Sequence, residues 1–248
     1  MNASVCLSID NHIATVVMCD RERKNTFTSH FVSELIDVFS RIEQHPTIKV
    51  VVLHGYDNYF CCGGTKEELL QIYEGRRVFT DLNIHDILLN CKFPVISAMQ
   101  GHALGGGFIL GCYADIVVMA KQCIYSTNFM KYGFTPGFGS TYIIPRLFGD
   151  SLGREMLFSA KSYHGLELQQ RGSNTKIVDK EDVLSVAFQL AQEFIDKPRI
   201  SLLALKRSFT ESVKRQLPAY IKEELAMHEL TFTESEEVRS RIEHFFGR

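Results

Sequence analysis

Residues 101–110 read GHALGGGFIL, three consecutive glycines opening a short apolar stretch of helical character. No Lys, Ser or Thr follows to hold a phosphate and its magnesium ion, and the spacing departs from G-x-G-x-x-G, which argues against a nucleotide phosphate. A helix N-terminus carries unpaired N–H groups and partial positive charge, so it stabilises an anion, and glycines let that anion approach the backbone. A developing enolate or oxyanion fits, because Phe108, Ile109 and Leu110 would keep the donors dry and so strengthen them. An oxyanion hole ordinarily takes a second N–H. The stretch YFCCGGTKEE at 59–68, with two glycines between a strand pattern and a helix pattern, is the place to seek it. Taken singly, either loop reads equally well as a tight strand-to-helix turn.

Elements on either side must hold these loops. SVCLSI and IATVVM flank Asp10, Asn11 and His12 as a hairpin. FVSELIDVFSRI places Phe31, Leu35, Val38, Phe39 and Ile42 at helical spacing, and VVVLHG then reads as a buried strand. The rhythm recurs in the apolar run 94–99, the glycine-rich helix start, and DIVVMA as a strand ahead of 125–129. Strands alternating with helices predict an α/β fold with much parallel pairing. From about residue 181 the pattern is helical throughout. Pro198 and Pro218 are expected to separate three of the helices, and 233–236 fits a capping box before the last. The expected division is a core over 1–190 and a helical C-terminal region over 191–248 whose apolar faces pack on the core or on another subunit.

Composition narrows the function classes. A net charge of -2 gives no excess of Lys and Arg to displace counterions from a nucleic acid. No apolar run reaches the length of a membrane helix and the start carries no leader pattern, so a soluble, cytoplasmic protein is expected. Seven cysteines, with no C-x-x-C pair, read as reduced thiols rather than a disulfide framework or a zinc site.

The two glycine loops together with FMKYGFTPGFGSTYIIPRLFG at 129–149, CYADIVVMA and the helical tail resemble the crotonase (enoyl-CoA hydratase/isomerase) superfamily over nearly the full length. The resemblance implies a ββα spiral core, assembly as a homotrimer or hexamer, and no metal or redox cofactor. It implies a hole formed by the backbone N–H groups of Cys62 and Gly106, with Gly63 and Gly105 beside them. This hole would grip the thioester oxygen of an acyl chain carried on 4'-phosphopantetheine. At the positions of the two glutamates used by hydratases of the superfamily stand Ile109 and Phe129, neither of which transfers a proton.

One reaction uses such a hole without a general base. In decarboxylation, departing carbon dioxide leaves behind the electron pair that forms an enolate, or a dienolate when a double bond is conjugated, and charge grows on the thioester oxygen only in the transition state. NFMKYGFTPGFGS, GYDNYF and EELAMHELTF are similar to the subgroup from polyketide β-branching cassettes, which decarboxylates a 3-methylglutaconyl-type thioester on an acyl carrier protein to a 3-methylcrotonyl-type product. By that resemblance His228 matches a functional histidine, suited to pairing with a carboxylate and delivering a proton. A lysine present in some relatives aligns near Val78, which turns attention to Arg76, Arg77 and Lys66 for the substrate carboxylate, and Tyr132 is expected to line the acyl pocket. Each of these also reads as a packed or solvated residue. Arg21, Arg23, Lys24, Lys206, Arg207, Lys214 and Arg215 are candidates for phosphate or carrier-protein contact. His102 is expected to fill space beneath the glycine turn, and His85 is a further pocket candidate. The rival readings are an enoyl thioester isomerase and a non-catalytic carrier-binding subunit.

Overall fold

The computed structural model describes residues 3–78, 81, 84, 86–232 and 235–246; His85 and Thr233 lie outside them. Strands β1 (Val5–Asp10) and β2 (Ile13–Met18) pair antiparallel across Asn11 and His12. Both turn residues have positive φ, 42° and 67°, the conformation that a two-residue turn needs to match the twist of its strands. Helix α1 (Ser29–Gln44) starts where the Thr28 hydroxyl accepts the Phe31 N–H, and it buries Phe31, Leu35, Val38, Phe39 and Ile42 along one face.

The chain then winds through β3 (Val50–His54), β4 (Tyr59–Cys61), α2 (Lys66–Tyr73), α3 (Ile87–Asn90), β5 (Val95–Met99), β6 (His102–Leu104) and α4 (Gly106–Cys112). It continues through β7 (Ile116–Ala120), β8 (Ile124–Ser126), α5 (Ser140–Phe148), α6 (Asp150–Ser159), β9 (Tyr163–His164), α7 (Gly165–Gln170) and β10 (Lys176–Val178). One sheet has the order β1-β2-β3-β5-β7-β10 and the other β4-β6-β8-β9. The turns that begin at β3, β5 and β7 therefore each give their first strand to the large sheet and their second to the small one before entering a helix, which is the expected ββα spiral, whereas β1 and β2 both belong to the large sheet. Strands β3, β5 and β7 lie in the interior of their sheet and are parallel to one another. Their unbroken apolar runs follow from burial on both faces.

Three helices complete the chain, α8 (Val183–Ile195), α9 (Arg199–Thr231) and α10 (Glu236–Phe245). Helix α8 packs on β3, β5 and β7, so a division at 190/191 cuts through a helix of the core. Pro218 does not end a helix as its sequence position predicts, for α9 runs 33 residues through it. Pro218 and Lys214 are both exposed, so the carbonyl that loses its N–H partner is open to water. Side chains anchored on either side hold the helix in place against a cost of about 3 kcal/mol. One anchor is Lys206, which is not a surface cation: it is 3% exposed, and its Nζ donates to Asp115 at 2.8 Å and to the Leu88 carbonyl at 3.1 Å. The last helix is capped by the Ser235 hydroxyl, which accepts the Val238 N–H.

Candidate active site

Strands β4, β6 and β8 run parallel in adjacent register, Cys61 beside Ala103 and Ala103 beside Tyr125. The three loops that leave their C-terminal ends are consequently neighbours. Gly63, at φ 76°, lies so close to the start of α4 that a Cβ there would be 2.7 Å from the Leu104 carbonyl and 3.1 Å from the Gly106 nitrogen. Glycine is required at this position both for its φ and for its clearance. Helix α4 opens on Gly105, whose carbonyl accepts the N–H groups of Phe108 and Ile109. The Gly106 N–H has no acceptor among the described residues.

Two aromatic rings that the sequence did not bring forward pack against Gly106. Edge atoms of Phe27 and Phe138 come within 2.8 and 3.1 Å of where a Gly106 Cβ would stand, and the two rings meet edge to face at 6.1 Å. The Phe27 N–H donates to the Gly63 carbonyl at 2.8 Å, tying this wall to the other loop. A donor beside two packed rings sits in a low-dielectric environment, where it interacts far more strongly with developing charge than it would in water.

The second donor differs from the expected one. The Cys62 N–H is spent on the Lys24 carbonyl, 3.2 Å away, and the Gly63 N–H faces the Cys61 sulfur. The next amide, that of Gly64, has no acceptor among the described residues. Of Cys62 and Gly64, it is Gly64 whose N–H is uncommitted among the described residues, while the N–H of Cys62, the expected donor, already has an acceptor. Neither cysteine is a nucleophile at neutral pH, since burial pushes the Cys62 thiol up to about 11, with Lys24 pulling weakly the other way, and raises Cys61 further still.

Ile109 is fully buried and Phe129 is 3% exposed, packed edge to face on Phe134 at 6.1 Å. No acid or base stands at either place. On α9, His228 is buried, and its Nε2 lies 2.9 Å from the Thr135 carbonyl. A carbonyl only accepts, so Nε2 carries the proton. Burial lowers the pKa of His228, opposed by the Thr135 and Pro136 carbonyls, which favour the protonated ring. The unfolded chain takes up this proton at about pH 6.5 while the folded chain does so only at lower pH, so stability is expected to fall as pH drops through that window. His54 and His102 are also held down by burial, which makes the test a difference. In urea unfolding from about pH 7 to 5, the wild type should lose more stability than His228→Gln.

One turn before His228, Glu224 is 1% exposed and was not singled out from the sequence. Its carboxylate accepts the Gly139 N–H at 2.7 Å, the Thr141 N–H at 2.9 Å and the Thr141 hydroxyl at 2.6 Å. Burial raises its pKa against these three donors. Helix α9 thus grips loop 135–141 at both ends. Between them sits Phe138 at φ 61°, a conformation that costs a non-glycine residue about 1–3 kcal/mol and persists only where its surroundings enforce it.

The expected cations are not gathered at the hole. Arg76 is exposed and paired with Glu74, and Arg77 is paired at 2.9 Å with the largely buried Glu68. Val78 is 46% exposed, its N–H bound to Asp81. Lys66, the first residue of α2 and two positions beyond Gly64, forms no ion pair among the described residues. Lys24 also stands near the loop, its Nζ 5.2 Å from the centre of the Tyr59 ring. Tyr132 is buried and stacked on Phe134 at 6.2 Å; burial, and to a smaller extent the charge of Cys62, would raise its pKa. His102 is structural, its Nδ1 accepting the Ile124 N–H at 3.0 Å and so bracing β6 against β8. Among the described residues, no three His, Cys, Asp or Glu side chains converge on a point that could hold a metal ion, and no helix is long and apolar enough to cross a membrane.

Paired free amides at the ends of β4 and β6, on a two-sheet ββα spiral, define the class. The chain belongs to the enoyl-CoA hydratase/isomerase family, whose model matches residues 8–246, and it has the crotonase fold. Within that family it is similar to the bacillaene synthase decarboxylase PksI of Bacillus subtilis (strain 168), with 48% identity over 241 residues, 97% of this chain and 96% of that one. A solved structure from a dehydratase/decarboxylase enzyme couple involved in polyketide β-branching superposes with a TM-score of 0.96 at 48% identity, covering 99% of this chain and all of the other. The ECH2 decarboxylase domain of CurF from Lyngbya majuscula gives 0.92 at 40% identity, over 98% and 99% of the two chains.

Proposed function

We propose that this protein decarboxylates a 3-methylglutaconyl-type thioester, presented on the phosphopantetheine of an acyl carrier protein, to a 3-methylcrotonyl-type product. The observation that carries this reading is the pair of uncommitted N–H groups at Gly64 and Gly106 among the described residues, with Phe27 and Phe138 packed against Gly106 and apolar Ile109 and Phe129 where carboxylates would stand. Such a site stabilises an enolate but offers no base at the usual places to make one by proton removal. Loss of carbon dioxide makes it instead. The C–C bond to the carboxylate breaks, its electron pair enters the conjugated system, and negative charge collects on the thioester oxygen between the two donors. The decarboxylases among its relatives support the same chemistry.

His228 fits the remaining step. A substrate carboxylate nearby would raise the pKa of the buried ring and load it with a proton. When the carboxylate leaves as carbon dioxide that support disappears, and the ring, which burial prefers neutral, gives the proton to the dienolate. Lys66 and Lys24, which form no ion pair among the described residues and stand near the hole loop, are candidates to meet the carboxylate or the phosphate. Exposed Ile200, Leu205, Phe209 and Leu230 along α9 support assembly as a homotrimer or hexamer.

The test follows the intact mass of a carrier protein loaded with the 3-methylglutaconyl thioester. The expected result is a loss equal to one carbon dioxide. Unchanged mass with a shifted double bond would make the protein an isomerase, and no reaction at all would leave a carrier-binding subunit.

A further inference from the structure

The peptide unit that joins Phe138 to Gly139 is held at both of its polar atoms. Its carbonyl accepts the Tyr113 hydroxyl at 2.8 Å, and its N–H donates to Glu224 at 2.7 Å. Phe138, on one side of that unit, has the left-handed φ already described, and its ring presses on Gly106. Tyr113 follows directly on α4, the helix whose first amide is the hole donor. Glu224 belongs to α9 and reaches the loop from the opposite side. The other carboxylate oxygen accepts both the backbone N–H and the hydroxyl of Thr141, so three of the four lone pairs of Glu224 are committed to this loop. Its Oε1 partners open α5 and its Oε2 partner precedes that helix.

We propose that Glu224 is a positioning residue for the oxyanion hole: it fixes the strained Phe138 so that the ring stays packed on Gly106 and keeps water from the adjoining N–H. The reading rests on the assignment of Gly106 as a hole donor. It gives a buried carboxylate a role in the chemistry although it never touches the acyl group. Without Glu224 the Gly139 amide loses its acceptor, Phe138 is free to relax out of the left-handed region, and the donor beside it becomes hydrated. A hydrated donor still binds the thioester oxygen but discriminates less between ground state and transition state, so the loss falls on kcat and not on KM.

The experiment uses Glu224→Ala, Glu224→Gln and the milder Thr141→Val, each studied well below its melting temperature. The probe is a 2,4-hexadienoyl pantetheine thioester, a conjugated chromophore whose absorption moves to longer wavelength when its carbonyl is polarised. Wild type is expected to shift the absorption. Glu224→Ala should lose most of the shift while binding the probe with similar affinity, and its kcat for carbon dioxide release should fall about tenfold to a hundredfold with KM nearly unchanged. Glu224→Gln keeps an acceptor for Thr141 but turns an amide NH2 toward the Gly139 N–H, so it should fall between the two. Thr141→Val deletes one of three bonds and should show the smallest effect in the same direction; it serves as the deciding variant if Glu224→Ala does not fold. A full shift and unchanged kcat in folded variants would reduce Glu224 to a structural group and overturn the proposal. So would a wild type that fails to shift the probe. If wild type shifts the probe yet releases no carbon dioxide, the decarboxylase reading fails by itself, and the spectral difference between wild type and Glu224→Ala still decides the role of Glu224.

Discussion

Gly64→Pro is expected to lower kcat by about 10²- to 10³-fold, the loss that follows removal of one oxyanion-hole donor. Proline at this position deletes the N–H, but its ring also fixes φ, restricts Gly63 before it and puts a Cδ where the N–H pointed, so the loss is read as that of the donor only against a melting temperature that stays near wild type. Gly64 is not among the residues with positive φ, and the nearest atoms to a Cβ there are those of the Leu69 side chain at 3.8 and 3.9 Å, an ordinary contact. Gly64→Ala is the control for the added Cβ, with the N–H retained, and should stay within a few-fold of wild type. Gly106 offers no such clean comparison, because any Cβ there collides with Phe27. The measurement is single-turnover release of carbon dioxide from the loaded carrier protein, alongside melting temperatures. Folded Gly64→Pro at wild-type kcat would remove Gly64 from the hole and return Cys62 to it, despite the bond that its N–H makes to Lys24. Loss in both Gly64→Pro and Gly64→Ala would point to the space above Gly64, not to its amide.

Why the sequence named Cys62 and not Gly64 is a matter of non-local geometry. Both amides belong to one FCCGG run, and which of them is free depends on where the Lys24 carbonyl falls. Lys24 has φ 55°, in a turn whose path nothing in the local pattern fixes. The same limit applied to β4, β6 and β8, three residues each, too short to show an alternation. They form because the longer parallel strands before them deliver the chain side by side. By contrast β3, β5, β7 and α1 were legible from their own residues, because burial imposes a pattern on five or more positions. Arg77 looked free because its partner Glu68 lies in another element. Pro218 looked like a break because propensity weighs one hydrogen bond, whereas α9 is held by Lys206, Glu224 and His228 reaching into the core. The absences at Ile109 and Phe129, which decide the chemistry, were readable at once, since a missing carboxylate needs no coordinates.

His228→Ala is expected to reduce kcat/KM by about 10²- to 10⁴-fold, the range spanned by a positioned acid or base. Alanine alone cannot say why, because it removes both a titrating ring and the bond to Thr135 that helps hold the loop. Glutamine separates the two. Its side-chain NH2 can still donate to the Thr135 carbonyl, which His228 contacts at 2.9 Å, but it cannot take up or deliver a proton. If the ring moves the proton, His228→Gln should be as slow as His228→Ala, and the slow step should show a solvent isotope effect that the wild type masks. If the histidine only ties α9 to the loop, glutamine should restore most of the activity, and the proton must then come from water. Burial decides the expectation between these outcomes. A ring kept neutral in the free protein by burial and charged by an arriving carboxylate becomes a strong acid at the moment the carboxylate departs, whereas a simple loop tie has no use for a group that can change its protonation.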